Sequence, residues 1–198
     1  MKYIKLFENY SEPQTLIDII FGSPDHQILK KAILACGLEK RITDGEFTIF
    51  APTDSAFKKL PQGTIESLLS DTEALTDILL YHLAPAISYG RTTMGPVPPA
   101  PNFPSFNTKA LSTSFKSGQL IKTSQGDRLK IEIDGQEIFV NNMPSVNSNS
   151  GKLVTNAKIE TADLEGTNGV VHVIDTVLMP ADEQIKIAGS KDYTRSNY

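Results

Sequence analysis

Three histidines, one cysteine and a scatter of carboxylates are the residues through which this chain could do chemistry. A zinc site needs three or four ligands brought together, commonly from Cys pairs or closely spaced histidines on one helix. His26, His82 and His172 stand far apart, and with a single cysteine no Cys pair exists, so no metal is expected. Cys36 cannot form an internal disulfide, and it ends the apolar run 32–36, where a buried inert thiol is expected. A Gly-x-Ser-x-Gly elbow, a Gly-Lys phosphate loop and a metalloprotease helix are all missing. The inventory assembles no catalytic centre and calls for no cofactor. A binding module is expected, not an enzyme.

The single polar residues then need structural roles. Asp54 follows an apolar stretch and Pro52, the place of a helix cap whose oxygen satisfies free N–H groups of the next turn. His82 shares a helical face with Leu75, Ile78 and Leu79, so it should be buried and hydrogen-bonded, with its partner sought in the 52–55 turn. Tyr81 is expected nearer the edge. His172 lies between Val171 and Val173 and should pack in a sheet, while His26 falls in a first helical turn and is expected to be solvated.

The elements that position these residues divide the chain in two. Ser11 with Gln14 has the form of a capping box ahead of Leu16, Ile17, Ile19 and Ile20, and Ser23-Pro24 restarts a helix that Gly37 closes. Residues 46–51 alternate and predict a strand ended by Pro52. Short helices follow over 54–60 and 64–69, then one opened by a second box, Ser70 to Glu73, and limited by Pro85. Pro96, Pro98, Pro99, Pro101 and Pro104 then crowd nine residues, which predicts an extended excursion over 88–118. Strands are expected at 119–123, at 128–133 and 136–141 around an Asp134-Gly135 turn, at 152–159 and at 169–179. Helices ahead of a largely antiparallel region make the class α+β. With 198 residues and no internal repeat, one domain is expected over 13–180, with an arm at 1–12 and a polar tail at 181–198.

The hydrophobic share is 39%, the charged share 21% and the formal charge −4, a globular profile without the basic surplus of nucleic-acid binders. No run reaches the roughly 20 apolar residues of a membrane span, and the segment after Met1 lacks the apolar core of a signal peptide.

Three ordered segments carry a family resemblance. Residues 47–57, Phe-Thr-Ile-Phe-Ala-Pro-Thr-Asp-Ser-Ala-Phe, with Leu60-Pro61, resemble the first signature box of fasciclin-like (FAS1) domains. Tyr81-His82 within Leu79–Leu83 resembles the family's Tyr-His motif. Asn168-Gly169 through His172 and Asp175 to Pro180 resembles the second box. The resemblance implies a wedge-shaped β-sandwich with N-terminal and peripheral helices. It implies a non-enzymatic adhesion or surface-binding role outside the cell, through protein or glycan contacts, with homo-oligomers possible. It offers Tyr81 and His82 as partner contacts. It also offers Asp163 and Leu164, which partly match an acidic motif tied to integrins. Thr161 and Ala162 replace that motif's Glu and Pro, which counts against integrin binding.

The excursion departs most from the family. Tyr89, Met94, Val97, Phe103 and Phe106 stand there among prolines, and apolar groups on a rigid segment suit docking to a partner. Two other roles fit the sequence: an accessory part of an assembly such as a virus particle, and a carrier of a small ligand in a cleft beside the sheet.

Overall fold

The computed structural model describes residues 14–85, 110–142 and 155–180. The Ser11 box, the prolines and apolar residues of the excursion, the N-terminal arm and the polar tail lie outside the described residues.

The chain opens with helices. Thr15 caps α1 (Leu16–Gly22) in a reciprocal capping box with Asp18, so the helix begins four residues after the Ser11 expected to start it. Ser23 accepts from the Asp25 amide and starts a 3₁₀ turn (Pro24–His26) that leads into α2 (Gln27–Ala35). A further helix, α3 (Glu39–Asp44), has no counterpart in the sequence reading. It is six residues long and buries Ile42 alone, too little for a periodic signal.

Strand β1 (Phe47–Pro52) follows, then α4 (Asp54–Lys58), α5 (Thr64–Ser70) and α6 (Thr72–Tyr81). The cap of α6 is Asp71, which accepts from the Ala74 amide, whereas Ser70 bonds back to the Glu66 carbonyl. Pro85 does not limit this helix. The chain leaves at His82 and forms a short strand, β2 (Leu83–Pro85), antiparallel to β1.

The remaining strands are β3 (Leu120–Lys122), β4 (Arg128–Asp134), β5 (Glu137–Asn142), β6 (Asn156–Gly166) and β7 (Gly169–Ile174). The β4–β5 hairpin pairs Asp134 with Glu137, so its two-residue loop is Gly135-Gln136, one residue later than expected. Gly135 takes φ 61° at the first loop position, where a side chain would be strained. The long last strand also ends early, at Ile174, because Asp175 turns to bond Lys158 through both its amide and its side chain.

Among the described residues the seven strands run β2-β1-β7-β6-β5-β4-β3, and β1–β7 is the parallel pair in an otherwise antiparallel sheet. β6 joins the halves: residues 156–158 pair with β5, and 159–166 pair with β7 across two register shifts. The sheet curls until its ends meet, where the Ser124 amide bonds the Leu83 carbonyl at 2.6 Å and the Gln125 amide bonds that of Leu80.

This curl makes two cores. Phe50, Tyr81, Leu129, Ile131, Val140 and Ile174 fill the inside of the sheet. Leu16, Ile20, Ile33, Ile49, Ile78 and Val171 join the helices to its outer face. A fully buried side chain of this kind contributes about 1.5–3 kcal/mol. β1 therefore has both faces covered and is buried at all six positions, although its sequence alternates. The α+β class and the helix-flanked sheet are as the sequence implied.

Candidate functional site

The polar motif residues build three joints, each linking segments distant in sequence. The first is the β6–β7 turn. Asn168 Oδ1 accepts from the Leu16 amide at 2.9 Å, and its Nδ2 donates to the carbonyls of Ile42 (2.6 Å) and Gly45 (2.9 Å). One amide thus ties the start of α1 and the end of α3 to the sheet, satisfying backbone groups that helix termini leave open. Gly169 sits against the Phe47 backbone, where a Cβ would come to 1.8 Å from the carbonyl oxygen. Asn168→Ala removes these bonds at once. At about 1 kcal/mol net each, the expected loss is about 3 kcal/mol in urea denaturation. Asn168→Asp should do no better, because it faces the same carbonyls with a carboxylate.

The second joint is His82, which is 3% exposed. Its Nδ1 lies 2.8 Å from the Ile78 carbonyl, and its Nε2 accepts from the Leu178 amide at 3.0 Å. The partners fix a neutral ring with the proton on Nδ1. Burial pushes its pKa down to about 4, against the Ile78 carbonyl, which favours the charged form. The expected partner in the 52–55 turn is therefore replaced by the segment after β7. Tyr81, expected nearer the edge, is wholly buried in the inner core. Neither side chain of the Tyr-His motif is presented at the surface.

The third joint holds the chain where it returns from residues 86–109. His172 is enclosed between Phe50 (ring centroids 5.7 Å) and Phe115 (5.3 Å). Its Nε2 donates to the Ala110 carbonyl at 2.8 Å, and its Nδ1 accepts from the Asp163 amide at 3.2 Å. Burial lowers its pKa, opposed by the Ala110 carbonyl and the Asp163 charge. Asp163 occupies the β6 irregularity with φ 59°, and its carboxylate accepts from the Ser112 amide at 2.7 Å and from the Ser112 hydroxyl. Thr48 completes the joint by accepting from the Ala110 amide at 3.3 Å. Thr48 also pairs with Ala84 in β2, so the departing and returning ends of the segment meet at one residue of β1. Leu164, the neighbour of Asp163, packs against the helical core.

Asp54 is a cap, but of a different helix from the one it begins. Thr53 caps α4, while Asp54 Oδ1 reaches across to the Ile28 amide at 2.8 Å and serves the start of α2, where His26 makes no capping bond. His26 itself is not solvated: it is 5% exposed. Tyr89, Met94, Val97, Phe103 and Phe106 lie outside the described residues.

Sequence reasoning missed Thr48 and Ser112, because a lone hydroxyl in a strand or loop carries no spacing signal. Among the described residues, no group of three or more His, Cys, Asp or Glu is placed to hold a metal, and no helix is long and apolar enough to cross a membrane.

Known proteins are similar to this chain in sequence and fold. The fasciclin domain profile matches residues 24–95 and 105–180. Human periostin is 33% identical over 165 residues, which cover 82% of this chain and 16% of periostin. Protein sll1483 of Synechocystis is 30% identical, covering 84% of this chain and 73% of its own length. Immunogenic protein MPB70 of Mycobacterium bovis is 29% identical, covering 87% and 65%. In structure, a FAS1 domain pair from the insect cell adhesion molecule Fasciclin I superposes with a TM-score of 0.62 at 16% identity, over 86% of this chain and 52% of that one. The chain thus spans a small part of periostin and about half of the insect pair. With the family profile matching both signature boxes and the Tyr-His joint, the chain belongs to the fasciclin (FAS1) domain family.

Proposed function

We propose that this domain is a non-enzymatic surface-binding module acting outside a cell, and that the segment 86–109 supplies its contact with a protein or glycan partner. The observation behind this reading is the third joint. Asp163 and His172 hold the returning end of that segment on the sheet, and Thr48 bonds it beside β2, from which the segment departs. The signature side chains, by contrast, are spent on internal hydrogen bonds. A fixed base with both ends on rigid strands is the usual support for a binding loop. The segment's own composition, Tyr89, Met94, Val97, Phe103 and Phe106 among prolines, suits docking with little entropy to lose. The structural neighbour comes from a protein described as a cell adhesion molecule, which fits the same role.

Deletion of 92–104 tests the reading. The shortened domain is expected to keep its denaturation midpoint, since loop length costs little, and to lose adhesion of cells or matrix to surfaces coated with the protein. Adhesion that survives the deletion would move the contact elsewhere on the domain.

A further inference from the structure

Asp163 meets His172 twice, once through its backbone and once through its side chain. Its amide donates to Nδ1 at 3.2 Å, and its Oδ1 lies 4.0 Å from the same nitrogen. In the neutral ring Nδ1 is the acceptor, because Nε2 spends the one ring proton on the Ala110 carbonyl. The Asp163 carboxylate is thereby left to the returning chain, where Oδ1 takes the Ser112 amide at 2.7 Å and Oδ2 takes the Ser112 hydroxyl.

A second proton on the ring undoes this arrangement. The new N–H at Nδ1 would face the Asp163 amide N–H, donor against donor. The acceptor nearby is Asp163 Oδ1, which must come about 1 Å closer to make a charge-assisted bond of about 2.7–2.9 Å. That movement draws it away from Ser112. Asp163 also stands at φ 59°, a left-handed conformation uncommon outside glycine. Its amide bond to Nδ1 helps to hold it there, so losing that bond lets the backbone relax. Among the described residues Asp163 is the charged group acting on this ring. β1 contributes the Phe50 ring, and the returning chain contributes the Phe115 ring and the Ala110 carbonyl.

We propose that protonation of His172 transfers the Asp163 carboxylate from Ser112 to the ring and releases residues 110–115 from the sheet while the rest of the domain stays folded. These residues are held by His172, Asp163 and Thr48 and by the burial of Ala110 and Phe115. Opening so few contacts costs less than unfolding the whole domain. The direction follows from the ring's surroundings. Burial lowers the His172 pKa in the closed joint, and opening restores its ordinary value of 6.5. The latch is therefore complete above pH 6.5 and loosens as pH falls toward the closed-state value. His82 has no matching device: its ring meets the Ile78 carbonyl and the Leu178 amide, with no carboxylate acting on it. The release is independent of what the segment 86–109 binds.

Amide exchange of the full chain, followed by NMR from pH 7.5 to 5 and corrected for intrinsic exchange rates, tests the proposal. Protection of the Ala110 and Ser112 amides should fall by up to about tenfold per pH unit below 6.5, as linkage to one proton requires. Protection of the Leu178 amide should stay well above theirs throughout. His172→Gln keeps a side-chain donor for Ala110 but does not titrate, so the fall should vanish. Asp163→Asn serves if that variant does not fold. It still offers an oxygen to the Ser112 amide but brings no charge to the ring, and the fall should begin about one pH unit lower. The proposal is overturned if the two amides keep constant protection from pH 7.5 to 5, or if the fall persists in His172→Gln. It is equally overturned if the fall is unshifted in Asp163→Asn, or if Leu178 drops in step to the same protection.

Discussion

Gly169→Ala is expected to destabilise the domain by about 2–6 kcal/mol, while Gly22→Ala leaves it unchanged or slightly more stable. The alanine Cβ at position 169 would stand 1.8 Å from the Phe47 carbonyl oxygen and 3.0 Å from Leu16 Cδ1. The first of these is backbone and cannot swing aside. Gly169 also has φ 148°, which a side chain adopts only under strain. Overpacking of this kind costs about 1–3 kcal/mol, and a forced backbone conformation about 1–3 more. A domain is stable by only about 5–15 kcal/mol, so the variant should show a large drop in urea midpoint or fail to accumulate as soluble protein. Gly22 has nothing within 4 Å of its Cβ position and no positive φ. A Gly169→Ala protein with a wild-type midpoint would mean that β1 and β7 do not approach as described.

Acid should unfold this protein through its histidines before its carboxylates are protonated. His82 has an ordinary pKa of 6.5 and a folded value of about 4. Between those values the unfolded chain binds a proton that the folded chain refuses, so stability is complete above pH 6.5 and declines as pH falls toward 4. At 1.36 kcal/mol per pH unit across the gap, the loss from His82 reaches about 3 kcal/mol. Burial also lowers His26 and His172, and both act in the same direction. Carboxylates join only below about pH 4.5. Urea midpoints at pH 7, 6, 5 and 4 should fall steadily through this window. His82→Asn should be less stable at pH 7 but show a shallower slope. A midpoint that is flat from pH 6.5 to 5 would show that the folded rings take up protons as readily as the unfolded ones, despite the amides that Leu178 and Asp163 donate to them.

Both effects bear on how much of the molecule its sequence disclosed. The signature boxes led to the fold, because apolar periodicity and turn residues are local and the boxes occur in a fixed order. The burial of His82 was legible from its helical face. Its partner was not, since Leu178 lies 96 residues away and offers only a backbone amide. Asp54 shows the same limit: its role as a cap followed from its neighbours, but the helix it serves is set by tertiary packing. Strand β2 was hidden because three residues that end in a proline carry no alternation, and only pairing with β1 makes them a strand. His26 was misjudged for a related reason. Its place in a helical turn says nothing of Ala51 and Asp54, which tertiary packing brings beside it.

The meeting of β2 with the residues after β3 has a consequence for life in a crowded or multidomain setting. A sheet with open flanks is a template onto which another chain can add a strand. Here the Ser124 and Gln125 amides already occupy the carbonyls of Leu83 and Leu80. The Leu83 carbonyl of β2 is thus already taken, and that flank offers less to a neighbouring domain on the same polypeptide or crowded beside it.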